Sequence, residues 1–487
     1  MTTGNDGAAE PVRPRTNPLL EPEGLSSLRD LVTDNATLVK ALVHRPFDGH
    51  EIQSLSNADR LLLVPSLRRA FVPAPDPVQV AARVLYLLYF ELDRRNPLLQ
   101  HNQKWVNKTS QWLGANVDSI PWQPVQAQGM VIEGMTGIGK SHAIERTLSL
   151  LPQVVEHFPN GEWGMQYLKH LVWLRVQMPA DHSRLGFLTG VLQGMDDALG
   201  TNYAQKHAGP NARVERLIVV VMHQLVQHRC GLLVIEEAQV QNLAAYSRIF
   251  LNFFLRLLNW GIPVVLVGNP LAFELIQTHA QDVDRFCEGG WITLLPPLGP
   301  EAPVWKTVWI PGLWKPTLLD AEQKPFQPLE AYPGIHEWHT FLWQLTGGLP
   351  RQLCRLRTEV LDAALRRGCS AVDSQFVYEV FRNSPRFIKV RERNAALANH
   401  DLKALMAFED LPREQLRRHW ASGKPPPSPD AEKDREGLSP AAAPPPAPEE
   451  QGAFKDTAKR LNRDLRDATE RQQAKRPGRA RGPEARR

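Results

Sequence analysis

Residues Gly134 to Ser141 read Gly-Met-Thr-Gly-Ile-Gly-Lys-Ser, the phosphate-binding spacing G-x-x-x-x-G-K-[ST]. The glycines let the backbone turn tightly enough for its N–H groups to cradle phosphate oxygens. Lys140 supplies a point charge to the β and γ oxygens, and Ser141 an oxygen for magnesium. The nucleotide-binding set runs over Gly134, Met135, Thr136, Gly137, Ile138, Gly139, Lys140, Ser141 and His142. A chance glycine-rich turn is the competing reading, and the flanks argue against it. The apolar run Gly129-Met-Val-Ile-Glu precedes the loop as a strand would, and residues 142 to 151 have helical apolar spacing. The loop therefore opens a helix whose positive N-terminus faces the anion.

A second set follows about a hundred residues on, where Gly231-Leu-Leu-Val-Ile-Glu236-Glu237-Ala-Gln is a hydrophobic run ending in two acids. Such a pair suits phosphoryl transfer: Glu236 helps hold Mg²⁺, and Glu237 polarises the attacking water. Asp is usual at the first position, and Glu236 is one methylene longer, which shifts metal geometry and bears on the rate of hydrolysis. Alone, acids ending a strand read equally as solvated surface; one strand–helix array after a phosphate loop they are specific. Asn269 follows the run Pro263-Val-Val-Leu-Val-Gly and would emerge at the carboxyl end of the sheet, placed to orient water. A turn-forming Asn before Pro270 is the other reading. Arg285 is the candidate to reach a neighbouring subunit's γ-phosphate, with Arg248 and Arg256 as rivals. Arg351, after a Gly-Gly-Leu-Pro turn, is placed to report nucleotide state from a helical segment, or else is a structural arginine.

The elements that must position these groups alternate between strand-like and helix-like from Gln126 to about Leu298, the pattern of a parallel sheet flanked by helices. Expected strands are Gly129–Glu133, Leu171–Gln177, Gly231–Glu236, Pro263–Gly268 and Trp291–Leu295, with helices over Arg213–Gln227 and Ser247–Asn259. Short apolar runs of this kind suit strands buried on both faces.

With 487 residues, 43% hydrophobic and 22% charged, the chain has the composition of an ordinary globular protein of two or three domains. Cys230, Cys287, Cys354 and Cys369 lie far apart in sequence, with no C-x-x-C pair, which argues against zinc and a disulfide framework and for a reducing cytoplasm. The start lacks a secretion pattern. The most apolar stretch, Ile249 to Ile276, is broken by Arg256, Asn259, Gly261 and Pro263, so no membrane span is expected.

Residues 1–15 are Pro/Gly/polar and expected to be disordered; 16–125 read as a helical region for partner or DNA contacts, as in Val78 to Leu92. There Lys104, Trp105, Lys108 and Trp112 interleave basic and aromatic side chains, suiting nucleic acid, with core tryptophans beside surface lysines as the alternative. The α/β core takes 126–298, a Pro/Trp-rich connection 299–335, and a small helical lid 336–420. Residues 421–487 are a Pro/Ala-rich linker and basic tail that cannot bury enough apolar surface to order themselves. Within it, residues 451–487 hold twelve Lys/Arg against five Asp/Glu, a surplus of seven that exceeds the whole-chain charge of +5. That end is a handle for nucleic acid or an acidic partner, or a solubilising tail. Asp456 to Arg460 and Asp467 to Arg471 carry the spacing of an exposed helix.

Phosphate loop, acidic second motif, polar residue after the fourth strand, then a helical lid with an arginine: this order resembles the AAA+ ATPases. Within them, Gly134-Met-Thr-Gly-Ile-Gly-Lys-Ser-His, Leu232-Leu-Val-Ile-Glu-Glu-Ala-Gln, Val265-Leu-Val-Gly-Asn and Thr346-Gly-Gly-Leu-Pro-Arg-Gln-Leu look like the transposition regulators of the TnsC/TniB type. The match covers roughly residues 125 to 370 and departs at Glu236, where the family has Asp. The resemblance implies an ATPase using ATP and Mg²⁺, a ring or filament of identical subunits on duplex DNA, a bacterial cytoplasmic location, contact with a target-selection protein, and a C-terminal segment that engages transposase subunits. A signalling or scaffold NTPase that does not act on DNA, or a secretion-associated ATPase, is the alternative.

Overall fold

Beta-branched and aliphatic residues dominate the five short runs around the motifs, and each becomes a strand. In this computed structural model, residues 17–21, 25–47, 51–115, 126–159, 167–179, 183–236, 252–273, 284, 286–297, 299–314, 324–369, 371–399, 401–405 and 408 are described. The strands are β1 (Gly129–Gly134), β2 (Val154–His157), β3 (Leu168–Leu171), β4 (Trp173–Gln177), β5 (Leu232–Glu236), β6 (Val264–Gly268) and β7 (Trp291–Leu294). Five form one sheet in the order β4-β5-β6-β1-β7, every pairing parallel. Parallel pairing brings the carboxyl ends of all five strands to one edge, and the out-of-sequence order places β1 between β6 and β7.

The inner strands β1, β5 and β6 are buried throughout, whereas the outer strands β4 and β7 alternate between buried and half-exposed positions. Period-two alternation splits the sheet residues between two cores. Met130, Ile132, Val234 and Val265 face one side, packed with the N-terminal helices, the helix after the phosphate loop and the C-terminal helices. Val131, Leu233, Ile235 and Leu266 face the other, against residues of 187–226 and 253–258. The architecture is three-layered α/β, as the sequence leads one to expect.

The helices are α1 (Leu28–Thr33), α2 (Asn35–Leu42), α3 (Asn57–Leu63), α4 (Pro75–Arg94) and α5 (Gln100–Thr109) before the sheet, and α6 (Lys140–Leu148), α7 (Arg184–Leu199), α8 (Tyr203–His207) and α9 (Val214–Gln227) within it. Residues 252–259 are helical, the described part of the helix expected over Ser247–Asn259. After the sheet, residues Val304–Trp314 form a wide π-type helix that buries Trp305, Trp309 and Trp314. Then come α10 (Trp338–Thr346), α11 (Pro350–Arg367), α12 (Ser374–Asn383), α13 (Ile388–Ala398) and α14 (Leu402–Leu405).

The N-terminal helices share a core with one face of the sheet. α4 buries Val80, Val84, Leu87, Leu88 and Leu92, each worth about 1.5–3 kcal/mol of transfer free energy as an upper figure. Its last turn grips the opposite edge of the sheet: Glu91 accepts from the Gln128 N–H ahead of β1, and Arg95 donates to the carbonyls of Cys230 and Gly231 ahead of β5. On α5, Trp105 is buried and stacks edge-on with Trp112, which in turn meets Trp260, while Lys104 and Lys108 are exposed. The tryptophans are therefore packing residues, and the alternative reading of that quartet is the one the structure carries.

One expected strand divides. Leu171–Gln177 becomes the end of β3 and the whole of β4, broken at Val172, whose N–H donates to the Gln153 carbonyl. β3 turns away from the main sheet to pair antiparallel with β2, making a two-stranded ribbon that periodicity did not reveal.

Candidate functional site

β1 ends at Gly134, and the chain then reverses through Gly137 (φ +92°) and Gly139 (φ +108°) into α6, which begins at Lys140. Those φ values lie where side chains are strained, so glycine is required at both places. Met135 and Ile138 are buried beneath the loop, while Thr136 and Ser141 face solvent. The loop is thus pinned on its inner side and open on the side where phosphate would lie.

Lys140 curls back over this loop. Its Nζ donates to the Gly134 carbonyl at 2.5 Å, to the Met135 carbonyl at 3.2 Å and to Asn269 Oδ1 at 3.3 Å. Asn269 caps the short turn Pro270–Ala272 directly after β6, the strand beside β1. Asn269 thus starts a turn with its backbone, as the turn-forming reading expects, and its side chain meets the phosphate-loop lysine.

Glu236 ends β5 and is 2% exposed; its Oε2 accepts from Arg175 Nη2 at 2.9 Å. Oε1 is buried with no hydrogen-bond partner among the described residues. A buried carboxylate oxygen left unsatisfied carries a desolvation cost that a cation would relieve. Mg²⁺ takes one or two protein oxygens and fills its octahedron with water and phosphate, so a buried acid with an unsatisfied oxygen at the carboxyl edge of the sheet, with Ser141 exposed in the first turn of α6, fits it. Arg175 was not singled out from sequence, because nothing in a strand pattern marks one arginine among apolar neighbours. Parallel pairing of β4 with β5, which sets Gln177 opposite Glu236, is the signal that would have found it.

Arg351 lies in the first turn of α11, and its backbone N–H donates to the Gly137 carbonyl at 3.2 Å. The two glycines of the preceding turn, Gly347 (φ +63°) and Gly348 (φ +70°), supply the left-handed backbone that ends α10 and swings α11 onto the loop. The segment thought to be a lid therefore touches the phosphate cradle directly.

His142 behaves differently from the rest of the expected nucleotide set. Its Nε2 lies 3.2 Å from the Ala70 carbonyl and its ring 5.2 Å from that of Phe71, so it packs on the N-terminal region. Arg146 on the same helix donates to the carbonyls of Ala41, Leu42 and Val43 at the end of α2, satisfying groups that a helix leaves open. Glu133, also missed, is buried one residue before the end of β1, with Oε1 accepting from Thr293 at 2.6 Å. Glu237, Arg285 and Arg248 lie outside the described residues, as does the tail from 409 onward; Arg256 is half-buried on the helix at 252–259.

A glycine-rich loop after an inner strand of a parallel sheet, with an acid and an amide at the carboxyl ends of the next two strands, defines a P-loop nucleotide-binding domain. Residues 125–276 match the family described as AAA domain, and the fold is that of an AAA+ core. No curated protein matches the chain in sequence. Among solved structures, the chain is similar to the Aeropyrum pernix Orc1 protein in complex with DNA, at 15% identity and a TM-score of 0.34, covering 72% of this chain and 83% of that one. It is similar to Drosophila ORC bound to DNA at 11% identity and a TM-score of 0.31, covering 77% and 84%. It is likewise similar to the Aeropyrum pernix Orc2 protein, in ADPNP–ADP complexes, at 12% identity and a TM-score of 0.31, covering 66% and 85%. These likenesses are remote.

Proposed function

We propose that this chain is an ATP-dependent, DNA-binding AAA+ regulator of transposition of the TnsC/TniB type. It would assemble on target DNA and link a target-selection protein to the transposase. The observation that carries the nucleotide part is the convergence of Lys140, Asn269 and the Arg351 N–H on one phosphate loop. The transposition part is supported by the residue resemblance over 125–370 and by the basic tail after its long linker.

In this reading the backbone of Gly134 to Gly139 and the Lys140 ammonium bind the triphosphate. To do so, Lys140 exchanges its carbonyl partners for phosphate oxygens. Ser141 and Glu236 would hold Mg²⁺, whose contribution is to neutralise charge on the β and γ oxygens. Glu237 would accept the proton of the attacking water, Asn269 would orient that water, and Arg285 of a neighbouring copy would contact the γ-phosphate. Binding energy shared across the subunit boundary favours assembly, and loss of the γ-phosphate loosens it. DNA would be held through its phosphates, with weak sequence preference and strong salt dependence.

The test is retention on random duplex DNA as a function of salt. ATP-loaded wild type should be retained at low salt and released steeply as salt rises, and Lys140→Ala should lose ATP-dependent retention. Glu237→Gln should stay assembled with ATP. Retention that ignores ATP, or a single-copy species in sedimentation with ATP, Mg²⁺ and duplex all present, would overturn the proposal, and no retention even at low salt would favour an ATPase that does not act on DNA.

A further inference from the structure

Three charged side chains from three different elements, among them the acid that ends β5, meet at one place. Arg175 on β4 donates to Glu236 Oε2 at 2.9 Å, and its other terminal nitrogen lies 3.9 Å from Glu145 Oε2 on α6. Glu145 stands four residues after Ser141, on the same face of the helix. The guanidinium therefore spans the gap between the helix that carries the magnesium hydroxyl and the strand that carries the magnesium carboxylate. The two acids differ in environment: Glu236 is 2% exposed and Glu145 66% exposed. The arginine itself is partly exposed, at 29%, so it can move between them without leaving a charge in the dry interior.

We infer that Arg175 is a built-in competitor for the magnesium carboxylate: it satisfies Glu236 when no metal is present and passes to Glu145 when Mg²⁺ claims that acid. The inference rests on the nucleotide reading above and adds to it the residue that sets how much Mg²⁺ the site needs. The longer side chain at position 236 gives this a physical basis. Glu extends one methylene further than the Asp usual there, far enough to reach an arginine on the neighbouring strand, and the same reach leaves one oxygen, Oε1, for a cation. Two cations then draw on one carboxylate. Their mutual repulsion, and the attraction Arg175 loses on leaving, weaken the metal site. Glu145 offsets part of that loss by offering the displaced guanidinium a second partner in solvent. Arg175 is thus a positioning residue, acting on the metal through Glu236.

The experiment is a Mn²⁺ titration followed by electron paramagnetic resonance, with a non-hydrolysable ATP analogue present, alongside binding of a fluorescent ATP analogue in EDTA. Arg175→Gln removes the competitor and should lower the half-saturating Mn²⁺ about fivefold, the size of a partly buried ion pair. Glu145→Gln removes the second partner and should raise it. In the double variant the Glu145→Gln effect should vanish, which a general field effect of an exposed acid would not do. If wild type binds no nucleotide analogue, the nucleotide reading fails. If it binds nucleotide but Arg175→Gln leaves the metal midpoint unmoved or weakens it, the inference is overturned. Should Arg175→Gln lose its fold by circular dichroism, Glu145→Gln still decides, and an unmoved or lowered midpoint there counts against the inference.

Discussion

The backbone N–H of Arg351 donates to the carbonyl of Gly137 at 3.2 Å, so the first turn of α11 and the middle of the phosphate loop share a hydrogen bond. The contact is tight. A Cβ on Gly137 would stand 3.3 Å from Arg351 Cβ and 3.4 Å from its Cδ, whereas a Cβ on Gly139 would meet nothing within 4 Å. Both glycines have positive φ, so alanine at either costs about 1–2 kcal/mol in backbone strain. Only Gly137→Ala also pushes α11 away. Urea unfolding should therefore show Gly137→Ala to be the more destabilised of the two, and Arg351→Ala, which keeps the N–H, should leave stability within about 0.5 kcal/mol of wild type. Equal midpoints for the two alanine variants would remove the contact from the argument.

The Lys140 ammonium donates to the Gly134 and Met135 carbonyls of its own loop and to Asn269 Oδ1. Removing the amide leaves the lysine positioned, whereas removing the lysine deletes the charge. Asn269→Ala should weaken binding of a fluorescent ATP analogue by less than about tenfold, and Lys140→Ala by more, in line with roughly 1.5–3 kcal/mol for hydrogen bonds to a charged group. Losses of equal size would mean that Asn269 is needed to place the lysine and is more than a water-orienting group.

The inner strands β1, β5 and β6 could be read from the sequence because burial on both faces leaves continuous apolar runs, and the phosphate loop because its chemistry needs fixed glycine spacing. What could not be read is long-range. The β2–β3 ribbon pairs Val154–His157 with Leu168–Leu171, and several of its positions are half-buried, so neither strand has a clean period. Arg175 and Glu133 were missed for a related reason: a single charged residue inside an apolar run gains meaning only from the neighbouring strand. His142 was placed in the nucleotide set by motif position alone, whereas its ring is engaged by Ala70 and Phe71, residues seventy positions earlier.

Gly231 illustrates how the N-terminal region and the sheet constrain each other. An alanine Cβ there would stand 2.2 Å from the Val172 carbonyl oxygen and 2.7 Å from Leu88 Cδ1. Leu88 can shift, but the β4 backbone cannot move without disturbing the parallel pairing that ends in Arg175 and Glu236. Gly231→Ala should cost about 3 kcal/mol or more, at the upper end for single substitutions, seen as a lowered thermal midpoint or loss of soluble protein. A midpoint near wild type would show that the chain ahead of β5 parts from Val172 and Leu88 more easily than their packing implies.

The β2–β3 ribbon also fixes a pH dependence. His157 Nε2 and His170 Nδ1 lie 3.3 Å apart, and both rings are buried. Burial pushes the His157 pKa down to about 4; it pushes His170 well below its ordinary value, helped by His157, Arg95 and Arg229 nearby. Both pKa values are lower folded than unfolded, so between about pH 6.5 and 4 the unfolded chain binds more protons, and stability falls as the solution is acidified through that window. His157 alone would account for on the order of 2–3 kcal/mol across it. Unfolding by urea at pH 7 and pH 5 should show a marked loss in wild type and a smaller one in His157→Gln, which has no proton to gain at that position. An unchanged pH dependence in the variant would place the acid sensitivity elsewhere in the chain.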